Sequence, residues 1–304
     1  MSVYHYVTSP FEYFRYMYSA SSHYWKTYKN FISVLYQKYL KKFPINVVLK
    51  NGKHITLDFP LEVQAIANGF QNVFDVNLGV LTIKKNGIPE VKLTGWQDNG
   101  DIFGVFFDEY LSKISFKGKN VIDIGANIAD SAIYFTLKGA QKVIALEPMP
   151  ANYEIAKKNI EINNMGNKIE LVLAGCGSQS GVINCDINNK GIEAYIDENI
   201  QKENTKQVPI TTLEEILKKN NLSESCILKM DCEGHEYEII LSASQKTLDN
   251  FSEILLEYHY GYKNLKEKLE GYGFTVKVDR PATFRTPLGM HKRQFMGLLY
   301  AKKQ

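Results

Sequence analysis

Four polar side chains stand at or near the ends of four apolar runs. They are Asp123 in Asn120-Val-Ile-Asp-Ile, Glu147 after Val143-Ile-Ala-Leu, Asp231 after Cys226-Ile-Leu-Lys-Met, and His259 after Ile254-Leu-Leu-Glu-Tyr. If the runs are neighbouring strands, these groups converge on one crevice, because open α/β sheets bind ligands outside the carboxyl ends of their strands. Carboxylates there suit ribose hydroxyls and cationic groups. An imidazole suits moving a proton near neutral pH.

The first run passes into Gly125-Ala126-Asn127-Ile128-Ala129-Asp130-Ser131. A glycine directly after a strand lets the chain turn sharply and brings backbone N–H groups close to a ligand. Asp130 or Ser131 is predicted to cap the helix that follows. Glu147, followed by Pro148, lies 24 residues beyond Asp123. That is the place of an acidic residue that holds ribose hydroxyls. A pyrophosphate would want a glycine cradle, whereas this loop carries Asn127 and Ala129, bracketed by Asp123 and Asp130. Acidic neighbours suit the ammonium and sulfonium charges of S-adenosylmethionine. After the third apolar run come Ala174 and Gly175, with no carboxylate for an adenine amino group, so backbone groups are expected to make that contact.

The fourth run leads into Asp231-Cys-Glu-Gly-His-Glu236, where Lys229, Asp231, Glu233 and His235 join His259 as candidate catalytic residues and Cys232 is read as inert. Transfer to a hydroxyl needs a positioned base with a pKa near working pH. His259 is the first choice, with Asp231 positioning the acceptor or itself acting as base. His235 competes with it, and Lys229 either pairs with a carboxylate or meets an acidic substrate. The plainer reading makes Asp231 and Glu233 caps of the next helix, and His259 a hydrogen-bonded loop residue. Mg²⁺ held by the acidic groups with His235 and His259 is considered and not favoured, so no metal ligand is assigned.

Apolar runs alternate with amphipathic segments from residue 116 onward. Helices are expected at 130–139, 150–163, 211–220, 237–249 and 262–271. Such alternation indicates a doubly wound, mostly parallel α/β sheet covered on both faces. The last two strands lack a long intervening helix and are expected to pair antiparallel at one edge. Upstream, Tyr28, Phe31, Ile32, Leu35, Tyr36, Tyr39 and Leu40 form one apolar stripe at helical spacing, read as a core face in preference to a membrane-surface or sugar-stacking one. Residues 46–59 alternate about Asn51-Gly52, the mark of a tight hairpin. A short helix at 61–70 and strands near 77–95 follow, with turn signals at Asn86-Gly87 and Asn99-Gly100. Residues 1–115 therefore read as an N-terminal α+β extension and 116–304 as the main domain. Thr212-Leu-Glu-Glu215 reads as a capping box. The basic stretch from Arg280 to Arg293, with Arg285, His291 and Lys292, reads as a solvated loop.

Composition narrows the class. With 304 residues, 44% hydrophobic and 23% charged, the chain is an ordinary globular protein. A net charge of +3 gives no reason to expect a nucleic-acid partner. Cys176, Cys185, Cys226 and Cys232 form no C-x-x-C pair, so reduced thiols in a cytoplasmic protein are expected. No signal peptide or apolar run of spanning length is read.

The runs Asp123-Ile-Gly-Ala-Asn-Ile-Ala-Asp-Ser, Ala145-Leu-Glu-Pro, Leu228-Lys-Met-Asp-Cys-Glu-Gly-His-Glu236 and Leu256-Glu-Tyr-His259 resemble the FkbM-type methyltransferases. Ala129 replaces a family glycine, and His235 stands where a small residue is common. The resemblance covers roughly residues 100–300. It implies a seven-stranded Rossmann-like methyltransferase sheet with an antiparallel terminal strand. It also implies O-methylation of a sugar, glycan or small metabolite, with S-adenosylmethionine held at the ends of strands one to three by Asp123, Gly125, Ala126, Asn127, Asp130, Ser131, Glu147, Pro148, Ala174 and Gly175. Two other readings remain: a nicotinamide-dependent oxidoreductase on the same kind of sheet, and a binding module that keeps the fold without catalysis.

Overall fold

The computed structural model describes residues 22–68, 74–77, 79–85, 87–96, 101–108, 110–187, 205–279, 282–284 and 294–304. The basic residues Arg280, Arg285, His291, Lys292 and Arg293, the Asn99-Gly100 turn signal and the first 21 residues lie outside these.

The chain divides into two compact units. One comprises Met1–Asp75 with Ile83–Lys85, the other Val76–Thr82 with Asn86–Gln304. In the smaller unit, helix α1 (Phe31–Tyr39) precedes the hairpin β1 (Ile45–Val48) and β2 (His54–Leu57), antiparallel as its Asn-Gly turn predicts. Helix α2 (Pro60–Ala67) follows, with proline in its first turn. Tyr28, Val34, Ile45, Val47, Val63 and Ile66 are buried together, and the Tyr28 hydroxyl donates to the Val63 carbonyl at 2.8 Å.

Of the stripe expected to face that core, Tyr28 is buried in it and Phe31 and Leu35 pack against it, but the rest does not. Ile32, Tyr36, Tyr39 and Leu40 are exposed, at 70%, 63%, 84% and 39%, whereas Val34, on the opposite side of α1, is buried. A nine-residue helix with apolar residues on two sides can bury only one of them here, and the side holding Val34 takes the core.

Short strands β3 (Phe74–Asn77), β4 (Val80–Ile83) and β5 (Val91–Leu93), hydrogen-bonded in that order, lead into the larger unit. Its main elements are β6 (Asn120–Ile124), α3 (Asp130–Leu137), β7 (Lys142–Leu146), α4 (Pro150–Ile162) and β8 (Ile169–Val172). After β9 (Gly175–Cys176), β10 (Gly181–Asp186) and β11 (Thr205–Thr211) come α5 (Leu213–Lys219) and β12 (Cys226–Met230). Helices α6 (Glu236–Ser242) and α7 (Gln245–Leu248), β13 (Phe251–Tyr258), α8 (Lys263–Gly271), β14 (Phe274–Val278), β15 (Ala282–Phe284) and β16 (Gln294–Lys303) complete it.

Seven strands line up as β14-β16-β13-β12-β6-β7-β8, with β15 paired to β16. From β13 to β8 every neighbour is parallel, and β16 runs antiparallel to both of its neighbours. The doubly wound, mostly parallel sheet is thus as the sequence indicates. As expected, β14 and β16 pair antiparallel at one edge, with β14 outermost and β16 between it and β13. Strands β6, β7 and β12 are almost wholly buried, as continuous apolar runs covered on both faces must be. A second sheet, β10-β11-β9, replaces the irregular stretch expected before α5.

Residues 86–115 fall in the larger unit rather than with the N-terminal extension. Two asparagines of the α4 segment show why. Asn163 exchanges hydrogen bonds with the backbone of Lys92 at 2.9 and 2.7 Å. Asn159, wholly buried, accepts from the Thr94 amide at 2.7 Å and donates to its carbonyl at 3.1 Å.

Candidate functional site

Strands β6 and β12 lie side by side, and their ends are laced together. The Asp231 amide donates to the Ile124 carbonyl at 3.0 Å. A Cβ on Gly125 would stand 1.8 Å from the Asp231 carbonyl oxygen, and its φ is +76°. Glycine is required there on both counts. The Gly125 and Ala126 amides both donate to Leu146, the last residue of β7. Asn127 and Ala129 then adopt φ of +47° and +66°, which swings the chain into α3.

The helix cap differs from expectation. Ala129 occupies the N-cap with no side-chain hydrogen bond, and neither Asp130 nor Ser131 serves as the cap. Asp130 sits buried in the first turn, where a carboxylate favours the positive end of the helix. Ser131 instead donates to Asp123 Oδ2 at 2.6 Å.

Asp123 and Lys229 are register partners on adjacent strands, and their side chains form an ion pair at 3.2 Å, both buried. Lys229 also donates to the Gly125 carbonyl at 3.0 Å. Of the two roles weighed for this lysine, pairing with a carboxylate is the one observed. Burial raises the Asp123 pKa, and Lys229 and Ser131 pull it back. These two residues form a brace beneath the glycine turn.

Glu147 is also buried. Its Oε2 accepts the Asn127 amide at 2.8 Å and its Oε1 the Met149 amide at 2.9 Å. Burial pushes its pKa up to about 7 against those hydrogen bonds. The Asn152 side chain adds a third hydrogen bond, and of the four lone-pair sites of a carboxylate this leaves capacity for a further donor. Asn127 Oδ1 is buried without a hydrogen-bond partner. Ala174 and Gly175 are buried beyond β8, while Pro148 is partly exposed. Asn159, absent from the sequence reading, also donates to the Ile128 carbonyl at 2.9 Å and so fastens the glycine loop to α4. Mid-helix asparagine carries no motif, and only the fold reveals this role.

At the other side of the β12 end, Glu233 and Gly234 take φ of +53° and +108°. The N-cap of α6 is His235, so neither Asp231 nor Glu233 caps that helix. His235 is exposed and paired with Glu238 at 3.1 Å. It stands apart from the group gathered around His259.

His259 is 1% exposed, its Nδ1 is 2.9 Å from Glu236 Oε1, and its own amide donates to the same oxygen at 3.0 Å. Nε2 has no hydrogen-bond partner and faces Glu233 Oε2 at 3.4 Å and Asp231 Oδ1 at 3.9 Å. Burial disfavours the imidazolium, but the hydrogen bond and charge of Glu236, aided by Glu233 and Asp231, outweigh it and push the pKa up to about 9. Glu236 is wholly buried and also accepts the Gly234 amide at 2.9 Å. Sequence reasoning gave it no catalytic part. The signal was its place as the last acid of the Asp231-x-Glu-Gly-x-Glu run.

Asp231, Glu233 and His259 offer one donor atom each within 4.8 Å of one another, a spacing that a divalent cation could bridge. A proton on Nε2 answers the same concentration of negative charge.

The glycine turn, a buried acid ending β7, and an imidazole with three carboxylates beside β12 make one cleft at the strand ends. The family model of the methyltransferase FkbM domain matches residues 123–276, from the Asp123 brace through the His259 cluster. The chain belongs to this family. Among relatives of the FkbM chain, a ribosomal protein L11 methyltransferase of Carboxydothermus hydrogenoformans is 38% identical over 64 residues, 21% of each protein. The chain thus spans about a fifth of that relative's length. Methyltransferase sdnD of Sordaria araneosa is 21% identical over 194 residues, covering 53% of this chain and 75% of its own. Among solved structures, Pyrococcus horikoshii TYW2 in complex with MeSAdo aligns at a TM-score of 0.40 and 16% identity, covering 91% and 84% of the two chains. No helix among the described residues is long and apolar enough to cross a membrane.

Proposed function

We propose that this FkbM-family chain transfers a methyl group from S-adenosylmethionine to a hydroxyl oxygen of a sugar, glycan or small metabolite. The observation that carries this reading is the Glu236–His259 pair. With Nδ1 held by a carboxylate, Nε2 is turned toward Asp231 and Glu233, and the imidazole reaches its neutral, proton-accepting form as pH approaches its raised pKa of about 9. That is the arrangement of an oriented general base.

The cofactor fits the residues present. The Gly125 turn leaves no room for a side chain, Asn127 Oδ1 awaits a donor such as an ammonium, and Glu147 retains capacity for a ribose hydroxyl. In this reading adenine meets backbone groups of Ala174 and Gly175. When bound, S-adenosylmethionine supplies a methyl group already activated by a cationic sulfur. The protein's share is alignment, exclusion of water and proton removal. Asp231 positions the acceptor hydroxyl, and His259 takes its proton at Nε2 as the new C–O bond forms. Glu236 and Glu233 stabilise the resulting imidazolium. The reaction in this reading needs no metal, so treatment with a chelator leaves the rate unchanged.

The test is calorimetric titration of the purified chain with S-adenosylhomocysteine beside NAD, followed by transfer assays with hydroxylated acceptors. Binding of the homocysteine product alone, with transfer reduced about a hundredfold or more in His259→Gln at unchanged affinity, is the expected result. Binding of NAD instead overturns the reading in favour of an oxidoreductase, and binding of neither favours a non-catalytic module.

A further inference from the structure

The exposed side of α1 lies in a segment of unusual charge. Between Tyr13 and Leu57 there is no Asp or Glu, and residues 22–57 contain seven lysines. Six of these, Lys26, Lys29, Lys41, Lys42, Lys50 and Lys53, are exposed. The chain as a whole carries only +3, so the rest of it is net acidic. Positive charge is therefore concentrated in the small unit.

Among these lysines stand large apolar side chains that are exposed among the described residues. Ile32, Tyr36, Tyr39 and Leu40 occupy about a 100° arc of α1, and Trp25 is 56% exposed. Lys50 lies over the Trp25 ring, 5.5 Å from its centre, so cation and aromatic ring are presented together. Beside Ile32 is a depression of about 530 Å³ lined by Lys29, Asn30, Phe31, Ser33 and Tyr36. It joins an ammonium and hydroxyls to apolar walls, and its volume is in the range of small-molecule sites.

We propose that this face of the small unit binds the surface of an anionic phospholipid bilayer. Lysines draw the unit to the negative headgroups, while Ile32 and Leu40 enter the acyl boundary and Trp25, Tyr36 and Tyr39 sit at headgroup level. The depression beside Ile32 receives a headgroup. Two other occupants fit less well. A nucleic acid would use the lysines but gain nothing from the aliphatic Ile32 and Leu40. A second copy would bring the same lysine-rich face against itself, with no carboxylate in residues 13–57 to answer it.

The experiment is sedimentation of the full chain with vesicles of phosphatidylcholine, with and without phosphatidylglycerol. Trp25 serves as an internal reporter, because Trp96, the other tryptophan, is wholly buried. The expected result is binding to the anionic vesicles alone, with a blue shift of tryptophan emission. Binding should fall about tenfold or more in Ile32→Asp/Tyr39→Asp and in Lys41→Glu/Lys42→Glu. These side chains are exposed, and circular dichroism verifies that each variant is folded. The proposal is overturned if no vesicle binds, or if the Ile32/Tyr39 variant binds as well as the parent. It is also overturned if that variant instead abolishes self-association, or if the parent binds single-stranded RNA as tightly as lipid.

Discussion

His259 draws its properties from Glu236, which holds both its amide and its ring through one oxygen. Glu236 is a positioning residue, and Glu236→Gln keeps the shape while removing the charge. The His259 pKa then falls from about 9 toward its ordinary value. The rising limb of the pH–rate profile should move down by about one pH unit or more, at unchanged affinity for S-adenosylhomocysteine. An unmoved limb would mean that His259 does not set it. Gly125 makes a different kind of prediction. In Gly125→Ala a methyl group would meet the Asp231 carbonyl, so the ends of β6 and β12 must part. Calorimetry should show cofactor binding lost, even where circular dichroism shows the sheet retained.

At the scale of elements, asparagine does the fastening. Asn159 ties α4 to Thr94 and to the Ile128 carbonyl of the glycine loop. In Asn159→Ala buried backbone groups lose their partners, which costs roughly 2–3 kcal/mol by denaturant unfolding and loosens the loop. If stability falls by less than half a kilocalorie per mole, the network carries little.

Much of this layer was legible in the sequence. The alternation of apolar runs and helices marked β6 through α4, the Asn51-Gly52 turn marked the hairpin, and the Thr212–Glu215 capping box is formed as read. What stayed hidden depends on pairings that no local pattern encodes. The Asp123–Lys229 brace exists because the β6 and β12 registers place the two side by side. Strand β11 was missed because Pro209 interrupts it, and proline reads as a strand breaker. Glu236 looked like an ordinary acid at a helix start until burial made it a hub.

For the whole molecule, three groups in the cleft couple stability to pH. Burial raises the folded-state pKa of Asp123, that of Glu147 to about 7, and the carboxylates raise that of His259 to about 9. In each case the folded protein binds more protons than the unfolded chain across the intervening pH range, so stability falls as pH rises. For the carboxylates the fall begins above their ordinary pKa and, for Glu147, ends near 7. For His259 the contribution is complete below about 6.5 and is lost as pH passes 9. The ligand-free protein should therefore melt at a higher temperature near pH 5.5 than near pH 9. The His259→Gln variant should show a flatter profile in the alkaline half. A melting temperature that rises toward pH 9 would contradict this assignment.

The position of β16 has a consequence for assembly in time. It pairs along its length with β13 and β14, yet it is the last strand of the sheet to leave the ribosome. Until residues 294–303 arrive, β13 has an open edge beside an otherwise formed cleft, and β14 has no partner in the main sheet. Nascent chains halted before residue 294 should be protease-sensitive and prone to associate through that edge, and supplying the missing strand as a peptide should suppress both. The strand that links β14 to the parallel strands thus comes last in the sheet, and its insertion is the step that commits the domain to its fold.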